Sequence, residues 1–103
     1  MRVVAVQPDA KEHAQQGIRT LKHNRVPPIW DPSIADETRE VSDAEAFRWA
    51  RALARREGIF GGISCGTALA ATALEAGRLE RGTIVVILPD RGEKYFSTDL
   101  YPA

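Results

Sequence analysis

The stretch Glu57–Gly77, EGIFGGISCGTALAATALEAG, decides how the chain is read. Gly58, Gly61, Gly62 and Gly66 crowd around one Ser64-Cys65 pair, directly before an alanine-rich run. A plain core helix needs no such cluster. Glycine lets the backbone turn sharply and come close to another group without a side chain in the way. Thr67 to about Ala76 reads as a small apolar helix, mostly buried and close to a neighbour. Ser64 would then stand just before a helix N-terminus, where free N–H groups and the positive end of the dipole favour an anion such as phosphate. The competing reading is a serine N-cap after a tight turn, since serine is a favoured cap. G-G-x-S-C-G fits neither a P-loop nor the dinucleotide fingerprint.

Outward from this stretch, the pattern is α/β. On the N-terminal side, Ser42-Asp43-Ala44-Glu45 has the form of a capping box. Phe47, Ala50 and Ala54 follow at helical spacing, Arg55 and Arg56 suit the last turn, and Gly58 is a natural stop. Val3–Val6 and TIVVIL (Thr83–Leu88) are short apolar runs without alternation, as in parallel strands buried on both faces. Glu37–Val41 is a candidate third strand. Between Ile18 and Asp36 lie Pro27, Pro28 and Pro32, which predict an extended connection anchored by Ile29 and Trp30. Strands separated by helices favour a parallel sheet, whose ligands gather at the carboxyl ends of the strands. Gln7-Pro8-Asp9 and Pro89-Asp90-Arg91-Gly92 would sit there.

Bulk properties narrow the function. The 103 residues suit one domain or a piece of a larger one, and 14 basic residues balance 14 acidic ones. That balance does not point to nucleic acid or an anionic membrane. No apolar run nears the ~18 residues of a membrane span. MRVVAVQPDA does not read as a signal peptide, and a single cysteine fits a reducing cytoplasm.

EGIFGGISCGTALAA followed by TIVVILPDRGEKYFSTDLY resembles the C-terminal part of the cysteine synthase family, pyridoxal-phosphate enzymes of the tryptophan-synthase-β-like fold. The family pattern reads approximately E-G-[ILF]-x-x-G-[IV]-S-S-G, a helix, a strand, then P-D-x-G-x-[RK]-Y-x-S-T. VVAVQPD and the segment WDPS…ADE…EVSDAEAF are similar to the same portion, so the resemblance covers nearly the whole chain as a single partial domain, 1–103. It implies β-replacement on O-acetylserine or O-phosphoserine, with sulfide giving cysteine, in a homodimeric enzyme. It also implies that Ser64 faces the pyridine nitrogen of pyridoxal 5'-phosphate, that Pro89 and Asp90 lie beside the ring edge, and that Gly62 belongs to the cofactor turn.

Two positions depart from that pattern. Cys65 replaces the second serine, as a small buried residue or as a thiol activated by the helix N-terminus. Gln16-Gly17-Ile18 matches the start of the family's glycine loop, but Arg19 replaces its second glycine.

The family's Schiff-base lysine, phosphate-cradling loop and substrate-carboxylate loop have no counterpart here. Lys11, Lys22 and Lys94 stand in no matching pattern, so no catalytic residue is assigned. The chain reads as a truncation, one part of a split enzyme, or a remnant. Its expected partners are the missing N-terminal portion or a second copy paired along an exposed sheet edge. The alternative is a non-catalytic assembly module with the same fold. His13 and His23 lack further ligands at metal spacing. Gly62-Ile63-Ser64-Cys65-Gly66 matches the nucleophile elbow only formally, because no histidine follows Ser64. The arginine-rich helix face is a solvated surface.

Overall fold

Two short runs make the sheet: β1 (Val4–Pro8) and β2 (Glu37–Val41). They pair in parallel, from Val4 opposite Glu37 to Pro8 opposite Val41. The structure, a computed structural model, describes residues 1–101; the last two positions of the unit read as 1–103 lie outside the described residues.

β2 leads directly into α1 (Asp43–Glu57). Ser42 is its N-cap, with Oγ accepting the Glu45 N–H at 3.2 Å. Only half of the expected box forms. The Glu45 carboxylate turns outward and accepts from Arg48 at 3.0 Å and the Trp49 indole at 3.2 Å. Gly58 ends the helix in the left-handed region, φ 69°, and returns its N–H to Ala54.

The next helix, α2 (Ile63–Ala76), starts four residues before the expected Thr67. It crosses α1 at Gly66. A Cβ there would lie 1.8 Å from the Ala46 carbonyl oxygen and 2.7 Å from the Ala50 nitrogen. Backbone therefore meets backbone, and Gly66 serves helix packing and not, as its sequence setting suggested, the approach of a ligand. The close crossing also selects the stripe of α1 that is buried. Ala46, Ala50 and Leu53 are sealed, whereas the expected Phe47 and Ala54 are half-buried at its margin. Val41, Ile63, Ala70, Ala71, Tyr95 and Leu100 complete the core.

Two expectations are corrected. Thr83–Leu88 has the composition of a buried strand, yet it has no ladder partner among the described residues. Val85 is 89% exposed and Ile87 78%. A strand exists only with a neighbour to complete its hydrogen bonds, and β1 and β2 pair with each other. The second correction concerns the connection from Ile18 to Asp36, which is a chain of turns instead of an extended link. The Leu21 N–H reaches the Gln7 side chain at 2.7 Å, Asn24 closes on Thr20, and Trp30 closes on Pro27. Ile29 is 92% exposed and anchors nothing, while Trp30 is half-buried.

At the end of α2 the Glu75 carboxylate is almost covered. It accepts from Arg2 and from Arg39, each at 2.7 Å. These two guanidinium hydrogen bonds pull its pKa down to about 2. A carboxyl depressed on folding contributes stability above its unfolded pKa, and that stability is lost as pH falls through the folded value. The urea midpoint should therefore decline from about pH 4.5 toward pH 2. Glu75→Gln should flatten that limb and lower the midpoint at pH 7. An acid limb of unchanged steepness in the variant would assign it to other carboxylates.

Candidate functional site

The site is assembled where the glycine turn meets the segment after Thr83–Leu88. Gly62 is the N-cap of α2 and its backbone is ordinary, φ −83°. It is glycine because of what lies above it. A Cβ would meet Asp90 Oδ1 at 2.1 Å and the Tyr95 ring at 2.5 Å. Its N–H donates to the Asp90 carbonyl at 3.4 Å, Gly61 bridges antiparallel to Arg91, and the Gly92 N–H donates to Phe60 at 3.0 Å. The Tyr101 hydroxyl closes the back of the turn on the Gly61 carbonyl at 2.7 Å.

Gly62 and Asp90 are thus brought together, and Pro89 is exposed next to them. Ser64 lies in the first turn of α2, inside the helix, only 6% exposed. Gly62 takes the cap position, so Ser64 is not the N-cap. Among the described residues its hydroxyl makes no hydrogen bond. Cys65 is fully buried and donates its thiol hydrogen to the Asp90 carbonyl at 3.3 Å. That contact favours the small buried residue over the activated nucleophile, because reactivity requires exposure. Lys11, Lys22 and Lys94 are all exposed. Among the described residues no three His, Cys, Asp or Glu side chains are grouped to hold a metal.

Two contributors were not legible in the sequence. Tyr95 donates its hydroxyl to Asp90 Oδ2. Burial first, then this bond to a carboxylate, pushes the phenol up to about 12, so it is a proton donor throughout the neutral range. Asp90 Oδ1 is buried without a partner. Gln15 is the other. It is fully buried, and its amide donates to the Val41 carbonyl and to Asp43, both at 2.9 Å. It accepts from the Thr67 hydroxyl at 2.8 Å. This network pins the Gln16-Gly17 loop to the start of α1 and the second turn of α2. A cleft of about 540 Å³ opens beside it, lined in part by Gln16, Asp43, Phe47, Ile63, Ser97 and Thr98. No signal in the sequence marks Gln15; it is one polar residue in a polar loop. Tyr95 stood in plain view within GEKYFST, but its partner five residues earlier shows only in three dimensions.

Parallel strands flanked by helices, with a serine hydroxyl free of hydrogen bonds in the first turn of α2 and an unpartnered Asp90 oxygen over Gly62, fit the fold type II class. The comparisons bear out that fold. A family profile described as "Pyridoxal-phosphate dependent enzyme" matches residues 1–90, and the chain belongs to this family. A cysteine synthase of Aquifex aeolicus is 38% identical over 105 residues, covering 98% of this chain and 32% of the relative. An O-ureido-L-serine synthase of Streptomyces lavendulae is 36% identical over 108 residues, covering 98% and 33%. Among solved structures, a cysteine synthase from Entamoeba histolytica superposes with a TM-score of 0.89 at 34% identity, over 97% of this chain and 32% of that one. The chain therefore spans about a third of the length of the relatives it matches.

The residues present fit one end of pyridoxal phosphate. The test is the orphaned Asp90 oxygen, packed over the Gly62 backbone two residues before a serine with a free hydroxyl. These suit the pyridine edge of the ring. No described lysine is enclosed, so the aldehyde end finds no match within this chain.

Proposed function

We propose that the chain is the part of a β-replacement enzyme that holds the pyridine end of pyridoxal phosphate. The complete reaction would convert O-acetylserine or O-phosphoserine, with sulfide, to cysteine. The observation that carries the reading is Ser64: buried in the first turn of α2, neutral, and with its hydroxyl unspent. When bound, the cofactor supplies an electron-withdrawing ring that eases loss of a β-substituent from an amino acid. Ser64 would donate its hydroxyl hydrogen to the ring nitrogen. Being neutral, it leaves that nitrogen without a proton, where a carboxylate at position 64 would hold one there. Pro89 and Asp90 would wall the ring edge, and the Tyr95 hydroxyl keeps the Asp90 carboxylate over Gly62. The lysine that binds the aldehyde would lie in the two-thirds of the relatives' length that this chain does not span, and a single buried thiol suits a reducing cytoplasm.

The second reading is a non-catalytic assembly module with the same fold. The exposure of Lys11, Lys22 and Lys94 favours it for the chain alone. A fusion separates the two. The first two-thirds of the Aquifex aeolicus cysteine synthase, joined ahead of this chain, is expected to form cysteine from one of the two donors and sulfide. Ser64→Ala in that fusion should lower kcat by roughly 10–100-fold, the worth of one hydrogen bond to a charged or strongly polar partner. A folded fusion that binds pyridoxal phosphate but makes no cysteine would leave the module reading standing.

A further inference from the structure

We infer, resting on the functional reading above, that Tyr95 is a positioning residue for the cofactor: it holds the Asp90 charge so that the ring nitrogen facing Ser64 stays unprotonated. The site's own charges create the need. Ser64 is neutral and suits an unprotonated nitrogen, yet a carboxylate stands at the same turn. Asp90 Oδ1 is packed over Gly62, the N-cap of the helix whose first turn carries Ser64. An anion within about 4–6 Å of a basic nitrogen favours its protonated form by roughly 10-fold or more. Left unrestrained, Asp90 would undo what Ser64 provides.

Three observations identify Tyr95 as the restraint. First, among the described residues no lysine or arginine pairs with Asp90; the adjacent Arg91 turns to Glu93 at 3.4 Å. Second, Oδ1 has no hydrogen-bond partner, and the donor to this carboxylate among the described residues is the Tyr95 hydroxyl, on Oδ2. The Cys65 thiol donates to the Asp90 backbone carbonyl and leaves the carboxylate alone. Third, Tyr95 is itself fixed. It is 5% exposed, it belongs to the core, and its ring would lie 2.5 Å from a Cβ at Gly62. A hydroxyl bonded to a carboxylate makes a charge-assisted hydrogen bond, which draws the negative charge toward the oxygen it holds. Burial and this bond push the phenol up to about 12, so the donor keeps its proton throughout the neutral range. The amino end of α2 acts in the same direction, since its dipole favours a negative charge beside Gly62.

The test has one arm without cofactor and one with it. In the 103-residue chain, carbon-13 magnetic resonance of labelled tyrosine separates Tyr95 from Tyr101. The Tyr95 Cζ resonance reports the bond its hydroxyl makes, and at neutral pH it should move in Asp90→Ala. An unmoved resonance overturns the inference, because the bond it depends on is then not made. The second arm reads the nitrogen-15 shift of labelled pyridoxal phosphate bound to the fusion of this chain with the Aquifex aeolicus two-thirds. Tyr95→Phe keeps the ring and removes only the hydroxyl. It should raise the affinity of the pyridine nitrogen for a proton on the order of 10-fold. Asp90→Asn added to Tyr95→Phe should restore the parent value, since the charge is then gone. A purely structural loss would not be repaired in that way. No change in Tyr95→Phe overturns the inference, as does a change that persists in the double variant. A nitrogen that answers to Ser64→Asp but not to Tyr95→Phe counts against Tyr95 alone and leaves the functional reading standing. A folded fusion that binds no pyridoxal phosphate removes the functional reading and the inference with it.

Discussion

Gly66→Ala is expected to cost about 3–5 kcal/mol and to bring the chain close to unfolding at room temperature. In an exposed helix the same change would gain up to about 1 kcal/mol. Here the sign reverses, because the added carbon would lie 1.8 Å from the Ala46 carbonyl oxygen and 2.7 Å from the Ala50 nitrogen. Both obstacles are backbone and cannot rotate away. The helices must part, and Ala46, Ala50, Ile63 and Ala70 then lose close packing together. Urea denaturation followed by far-UV circular dichroism measures the loss. A variant within about 1 kcal/mol of the parent would mean that the crossing is not as close as described.

The second large effect is expected from a polar residue. Gln15→Ala removes one amide that serves the Val41 carbonyl, the Asp43 carboxylate and the Thr67 hydroxyl. One intramolecular hydrogen bond contributes a net of about 0.5–1.5 kcal/mol. Three are lost at once here, so a total of about 3 kcal/mol is expected. For a domain of this size each kcal/mol moves Tm by roughly 4–8 °C, so a fall of at least about 12 °C should be seen by calorimetry. Thr67→Val removes a single donor from the same network and should cost clearly less. Equal losses in the two variants would show that Gln15 is not the hub.

These two predictions also mark what could be read from the sequence. β1 and α1 were legible because each has a local signature, an apolar run and a serine cap with a glycine stop, while β2 was read only as a candidate strand. The start of α2 was not legible, because Ile63, Ser64, Cys65 and Gly66 include no strong helix former, and tertiary packing on α1 overrides that weak propensity. Gly66 was read as room for a ligand when it is room for Ala46. A sequence shows that a glycine is needed without showing what approaches it. Thr83–Leu88 was recognised by composition, but ladder formation depends on a neighbour that no local pattern reports. Ile29 and Trp30 were expected inside because apolar residues usually are, and the turns at Thr20–Asn24 and Pro27–Trp30 carry Ile29 outward. The resemblance singled out Ser64, Gly62, Pro89 and Asp90, of which the structure packs Asp90 directly on Gly62, whereas the Tyr95 hydrogen bond and the Gln15 network show only in the fold.

Nitrogen-15 magnetic resonance reads the charge environment of the pyridine nitrogen directly. Pyridoxal phosphate labelled at the pyridine nitrogen is bound to the fusion of this chain with the Aquifex aeolicus two-thirds. The parent is expected to show the shift of an unprotonated, hydrogen-bonded pyridine. Ser64→Asp should move it to the protonated value, and Ser64→Ala to a free-pyridine value. A protonated nitrogen in the parent, or a resonance that ignores both substitutions, would contradict that role of Ser64.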